Sequence, residues 1–265
     1  MNDERDAGRR RLSIMGHRGA REVAPENTLA AYGLAIEAGV DALELDVHLS
    51  NDGELAVMHD ARLERTTDGQ GELREHTMAE LKTLNAAANH TGRDYGVQRI
   101  PTLQETYDFV QGRVQINIEI KTDAGGNRYD GIEQKVVDLV RRNNAAGFTI
   151  ISSFNFPSLL AVRALAPEIQ LYAIVSKEYF AQKGSTEPAV LAAEMVESRF
   201  NWVAINKSFL TAAMVDMLKA QGVRVHGWVV NEVPEMWTIF DMGVDYITTD
   251  RPDILIPAYR KGRAT

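Results

Sequence analysis

Cysteine is missing from the 265-residue chain, which removes disulfides, thiolate nucleophiles and thiolate metal ligands from consideration. Long hydrophobic runs are missing too. No stretch approaches the roughly 20 apolar residues of a membrane-spanning helix, and the opening segment MNDERDAGRRRLSIMG has charge but no apolar block of signal-peptide length. There is no excess of positive charge either: 29 Lys and Arg stand against 37 Asp and Glu, a formal net charge of -8. That balance argues against a nucleic-acid partner, whose electrostatic footprint is basic. The Arg9-Arg10-Arg11 run reads as a solvated arm. What remains is 45% hydrophobic, enough to bury a large core. A soluble, cytoplasmic protein without stable membrane insertion is expected. Its oligomeric state is not legible in these terms.

The apolar pattern has a regular beat. A strand over 12–15 empties into Gly16-His17-Arg18-Gly19. A helix follows, opened by Pro25-Glu26-Asn27-Thr28, with Leu29, Tyr32 and Ile36 on one face and Gly39 closing it. Strand 40–47 and a short run at 54–58 come next. Residues 61–99 break the rhythm: they are charged, rich in Thr, Gly and Asn, with one expected helix at 78–84, and read as an insertion. Strands then recur over 114–120, 149–152, 170–175, 202–205, 223–228 and 245–248. Helices are expected near 103–110, 131–143, 157–165, 188–197, 211–221 and 234–242, and after Pro252. Eight strand-to-helix units in this length predict an α/β fold, a (β/α)8 TIM barrel, forming one domain over 1–265 with a small insertion after the second barrel strand. An open doubly wound sheet competes. The first strand-to-helix turn lacks the dinucleotide glycine fingerprint, and the strand count fits closure.

A barrel of this kind carries its chemistry at the C-terminal ends of its strands, where the ionisable residues fall. Glu44 and Asp46 share one face of their strand, about 7 Å apart along the chain. Their surroundings, Ala42, Leu43, Leu45 and Val47, read as a strand buried on both faces. Two buried acids need a partner, and the spacing leaves a divalent cation and an ion-pair network both open. Glu119 and Lys121 repeat the two-residue spacing at the end of a neighbouring strand, so Glu119 can face Glu44 and Asp46. Lys121 could bind a phosphate oxygen, or the two could form a salt-bridged strand end.

Other conspicuous residues have simpler readings. His48, His76 and His90 are taken as structural or exposed, and His226 as packed. Trp202 and Trp237 lie on apolar-patterned elements and read as core. Asn27 and Glu26 either hold functional groups or belong to a helix start. Asp250 and Arg251 either orient a ligand or pair with each other.

The stretch HRGAREVAPENTLAAYGLAIEAGVDALELDVHLSNDGELAVMHD closely resembles the signature of the glycerophosphodiester phosphodiesterase family. The resemblance continues through IPTLQETYDF, NIEIK, ISSFN and HGWVVNEVPEMWTIFDMGVDYITTDRPD, from Ile14 to Asp253. Ser50, where the family commonly has threonine, and Met58 are local departures that remove no reactive group. The resemblance implies a barrel with an insertion after the second strand, and metal-dependent hydrolysis of small glycerophosphodiesters to glycerol 3-phosphate and an alcohol. It implies His17 and His59 as general acid and base, and Glu44, Asp46 and Glu119 as ligands of calcium or magnesium. Arg18 and Lys121 would hold phosphate, and Trp228 and Phe154 would line the substrate entrance. A lysophospholipase D-like activity is the enzymatic alternative, disfavoured by the polar insertion. A catalytically silent phosphodiester-binding module is disfavoured because no reactive group is lost. The chemistry calls for these residue types: imidazole can give and take protons near neutral pH, and cations stabilise charge on phosphoryl oxygens.

Overall fold

The computed structural model describes residues 11–263; Arg9 and Arg10 of the expected solvated arm lie outside them. Strand β1 (Ser13–Gly16) leads to helix α1 (Leu29–Ala38), strand β2 (Ala42–Leu49) and the short strand β3 (Leu55–Val57). The segment 61–99 holds α2 (Met78–Leu81), and after it come α3 (Leu103–Val110), β4 (Gln115–Ile120), α4 (Ile132–Arg142), β5 (Thr149–Ser153) and α5 (Phe156–Leu165). The chain continues through β6 (Gln170–Val175), α6 (Lys177–Lys183), α7 (Pro188–Glu197), β7 (Trp202–Asn206) and α8 (Ala212–Ala220). It finishes with β8 (Arg224–Trp228), α9 (Val233–Asp241), β9 (Tyr246–Thr249) and α10 (Pro252–Lys261). Among the described residues no helix is long and apolar enough to cross a membrane.

β1, β2 and β4 to β9 pair in parallel, and β1 pairs with both β2 and β9, so the sheet closes. This is the expected (β/α)8 barrel. β3 folds back antiparallel on β2 outside the ring. The strands carry a strict two-residue alternation. Leu43, Leu45, Val47 and Leu49 of β2, with Ile116, Ile118 and Ile120 of β4, join the apolar layer between sheet and helices. Their neighbours Ala42, Glu44, Asp46, Asn117 and Glu119 take the opposite faces of the same strands. All eight residues of β2 are buried, as expected from the sequence, but one buried face is apolar and the other polar.

One side of the barrel interior is closed by a separate cluster, Met15, Ala42, Ile150, Tyr172, Trp202 and Tyr246. Tyr172 stacks on Trp202 at 4.6 Å between ring centroids, and Tyr246 meets Trp202 edge-on. Trp202 is therefore core, as expected. Trp237 lies on the outer shell against Tyr259. His226 is buried, hydrogen-bonded to Thr248 Oγ1 at 2.6 Å, and burial pushes it down to about 3, in line with a packing role.

The segment 61–99 has its own small core of Leu63, Leu73, Met78, Leu81 and Ala86, joined by Ala56, Met58 and Ile100. The helix expected at 78–84 is shorter, Met78–Leu81, started by a capping box between Thr77 and Glu80. Helix α6 has no counterpart in the sequence reading. It spans seven residues between a barrel strand and a longer helix, ends at Gly184, and is too short for a periodic signal.

The turn after β1 depends on two glycines. A Cβ on Gly16 would lie 2.4 Å from the Gly19 carbonyl oxygen. Gly19 has φ of +89°, and a Cβ there would lie 2.6 Å from the Ala31 backbone of α1. Both constraints hold the loop bearing His17 and Arg18 against α1. Gly19→Ala should combine left-handed strain with a backbone clash and cost at least about 2 kcal/mol. Urea unfolding measures this, and a midpoint unchanged from wild type would show that the turn relaxes freely.

Candidate active site

The parallel register sets Asp46 of β2 directly beside Glu119 of β4, and Glu44 lies two residues before Asp46 on the same face. One carboxylate oxygen from each of the three lies within 4.8 Å of the others. All three residues are buried. Burial, and then the charges of Asp46 and Glu119, push the Glu44 carboxyl well above the usual carboxylate range. Burial opposes ionisation of Asp46 too, but Lys121, Arg18 and the Asn27 amide outweigh it and hold that carboxyl low.

The cluster is tied down from several elements. Lys121 Nζ sits 2.6 Å from Glu119 Oε1 and 3.3 Å from Asp46 Oδ1. The Arg18 backbone N–H donates to Glu44 Oε2 at 2.9 Å, while its guanidinium Nε stands 3.4 Å from Asp46 Oδ2. Asn27 resolves its two readings: its Nδ2 donates to Asp46 Oδ2 at 2.8 Å and its Oδ1 accepts from the Tyr32 hydroxyl. The helix cap is Thr28, which accepts from Ala31 N. Of the two readings of the Glu119–Lys121 pair, the geometry shows the salt-bridged strand end, with Lys121 reaching Asp46 as well. Asp46 Oδ1 is nonetheless buried without a hydrogen bond. Three buried hard-oxygen donors, one of which is answered only by the Lys121 ammonium at 3.3 Å, form the environment that a divalent cation fits.

The two histidines are mounted alike. His17 Nδ1 lies 2.6 Å from Asp250 Oδ1, and its Nε2 is 3.9 Å from Glu44 Oε2. Asp250 is fixed in turn by Asn231, whose Nδ2 donates to Asp250 Oδ2 at 2.8 Å and whose Oδ1 accepts from the Asp250 N–H. His59 Nδ1 lies 2.5 Å from Asp60 Oδ1. In each pair the carboxylate holds Nδ1 and leaves Nε2 as the nitrogen for other work. Burial lowers the His17 pKa, against the Asp250 hydrogen bond that raises it. His48, also buried, bridges the Tyr129 hydroxyl at 2.8 Å and the His59 carbonyl at 3.0 Å. Burial pushes His48 down to about 4. It is structural, as expected, and what it supports is the backbone of His59. His76 contacts the Gln70 carbonyl, and His90 packs edge-on against Tyr95.

Trp228 and Phe154 meet edge-to-face at 5.8 Å, and Lys121 Nζ lies 6.0 Å from the Phe154 ring centre. Phe154 is 45% exposed, so this aromatic pair lies at the open side of the cluster. All nine residues singled out from the sequence thus fall in one contiguous region. Sequence reasoning missed the contacts of Asp250 and Asp60 with the two histidines and of Asn231 with Asp250. Asp250 carried a signal, since it follows the last barrel strand, and Asp60 stands next to a histidine. Arg251 pairs with Asp253 and not with Asp250.

The sequence pattern of the glycerophosphoryl diester phosphodiesterase family matches residues 17–254. The glycerophosphodiester phosphodiesterase of Caldanaerobacter subterraneus subsp. tengcongensis is 36% identical over 250 residues, covering 94% of this chain and 98% of that protein. An Oleispira antarctica phosphodiesterase, solved in complex with the product sn-glycerol-3-phosphate, superposes with a TM-score of 0.80 at 29% identity, covering 94% of this chain and 96% of that one. A glycerophosphodiester phosphodiesterase from Agrobacterium tumefaciens gives 0.78 at 28% identity, covering 94% and 100%. Since the matched span runs from the first histidine of the site to beyond Asp250, the chain belongs to the glycerophosphoryl diester phosphodiesterase family.

Proposed function

We propose that the chain hydrolyses small glycerophosphodiesters to glycerol 3-phosphate and an alcohol, with His17 and His59 as the general acid–base pair. The observation that carries this reading is the matched mounting of the two imidazoles, each with a carboxylate on Nδ1. Hydrolysis of a phosphodiester needs one proton removed from the attacking nucleophile, water or a neighbouring hydroxyl that water later replaces, and one delivered to the departing alkoxide. Two imidazoles with Nε2 free for transfer meet both needs. Asp250 and Asp60 fix the tautomer and steady the imidazolium when it forms. Arg18 and Lys121 would bind phosphoryl oxygens, and Trp228 with Phe154 would offer an apolar wall for the rest of the substrate.

Glu44, Asp46 and Glu119 would hold a divalent cation, calcium or magnesium, which when bound supplies Lewis-acid stabilisation of charge on the phosphoryl oxygens. The convergence of three buried carboxylates, one oxygen of each within 4.8 Å of the others, supports that reading.

Two outcomes are expected. His17→Ala and His59→Ala should each reduce release of glycerol 3-phosphate from glycerophosphocholine by about 10²–10⁴ while leaving substrate affinity largely intact. Asp250→Asn should cost about 10–100-fold through orientation of His17. Near-wild-type turnover in either alanine variant would remove that histidine from the mechanism. Separately, calcium or magnesium at about 100 times its dissociation constant should stabilise the metal-free protein by about 2.7 kcal/mol, seen as a raised melting temperature. Glu44→Gln should abolish most of that increment, and chelation should abolish turnover. Full activity after exhaustive chelation would overturn the carboxylate assignment.

A further inference from the structure

Arg65 belongs to the segment 61–99, which the sequence marks only as a polar interruption of the barrel. Its guanidinium makes four donor contacts with two carboxylates. Nε and Nη2 donate to Asp60 Oδ2 and Oδ1 at 2.5 and 3.0 Å, while Nη1 and Nη2 donate to Glu26 Oε2 and Oε1 at 2.9 and 2.7 Å. Asp60 is the carboxylate that holds His59 Nδ1. Glu26 is the carboxylate that takes Arg18 Nη1 at 2.9 Å and Arg21 Nε at 3.1 Å. A chain of contacts therefore runs from His59 through Asp60, Arg65 and Glu26 to Arg18, and from Arg18 to Asp46. Arg65 joins its two halves.

We infer that Arg65 is a positioning residue: by clamping Asp60 and Glu26 together it fixes the orientation of the His59–Asp60 pair relative to the Arg18 guanidinium. The inference rests on the reading of His59 as a proton-transfer group. Stability alone does not account for the clamp, because its side chain is 42% exposed and Glu26 keeps Arg18 and Arg21 as partners without it. Orientation is a better one. A planar guanidinium contacting two carboxylates sets angles as well as charge, whereas a lysine in its place offers one compact charge. The side chains it holds are better buried than it is, Glu26 at 10% and Asp60 at 28% exposure. Burial opposes ionisation of Glu26, but the Arg65 hydrogen bonds and the Arg18 charge outweigh it and bring that carboxyl down to about 2. The insertion thereby contributes a part of the site, and its small core of Leu63, Leu73, Met78 and Leu81 becomes the foundation on which Arg65 stands.

The test is a double-mutant cycle on the full chain with glycerophosphocholine and saturating divalent cation. Arg65→Met should lower kcat about tenfold or more, with KM moved much less and the melting temperature changed by only a few degrees. Arg65→Lys should recover part of the loss. Asp60→Asn alone should lower kcat, and the double variant should be no more than about twofold below Asp60→Asn, since residues acting through one contact are not additive. An Arg65→Met enzyme within about twofold of wild-type kcat overturns the inference, as do losses that multiply in the double variant. Should Arg65→Met fail to fold, Arg65→Lys decides with Asp60→Asn by the same criterion of non-additivity. His59→Ala separates the two levels. Wild-type turnover in that variant sinks the acid–base reading itself, whereas an inactive His59→Ala beside a normal Arg65→Met sinks only the role of Arg65.

Discussion

Three carboxylates crowded at the ends of two adjacent strands set the terms for everything around them. At an effective dielectric constant near 20, like charges about 5 Å apart repel by roughly 3 kcal/mol per pair. One oxygen each of Glu44, Asp46 and Glu119 lies within 4.8 Å of the others, and burial together with that repulsion pushes Glu44 towards its neutral form. The fold answers with Lys121, the Arg18 guanidinium and backbone N–H, and the Asn27 amide. Each comes from a different stretch: the end of β4, the turn after β1 and the entry to α1. The tightness of that turn, with Gly16 and Gly19 pressed against their neighbours, follows from having to deliver Arg18 and His17 to the cluster together.

The same chemical unit, an imidazole with a carboxylate on Nδ1, is built here in two ways. His59 and Asp60 are consecutive. His17 and Asp250 are 233 residues apart and meet because β1 and β9 are neighbours in the closed ring. Closure is therefore a catalytic requirement as well as an architectural one on the proposed mechanism, since an open sheet would leave His17 without its partner. Glu44 lies on the far side of His17 from Asp250, so the imidazole sits between two acids with different surroundings. Glu44 is pushed towards its neutral form by burial and its acidic neighbours. Burial works against ionisation of Asp250 as well, yet the His17 and Asn231 hydrogen bonds keep its carboxyl low.

Much of this was legible in the sequence because strands write their faces in alternate residues. Leu43-Glu44-Leu45-Asp46-Val47 states both which side meets the helices and which side meets the site, and Ile118-Glu119-Ile120 repeats the statement on the adjoining strand. The acids, His17 and Lys121 could be assigned to one rim once the strands were counted. The Asp250–His17 contact was not assignable in that way. It depends on the register between the first and last strands, and a period of two says nothing about register between strands. Arg65 was less legible still, lying in a segment without periodicity, where a polar composition describes any exposed loop. Helix α6 was missed for a related reason: seven residues complete barely two turns.

A chain with net negative charge that binds a phosphodiester anion must overcome its own field locally, and the arrangement of its cations shows how. Arg18, Lys121, Arg21 and Arg65 are all drawn to the acidic centre, and each is held by carboxylates rather than left in solvent. On the proposed reading, binding phosphate at Arg18 or Lys121 would exchange one anionic partner for another and would not strip an exposed cation of water. Such an exchange costs little reorganisation when the guanidinium is already oriented, which is the state that Glu26 and Arg65 impose on Arg18. The acids of this site thus have two jobs on the proposed reading: three gather positive charge at the phosphorus, and the others keep the groups that receive it from turning away.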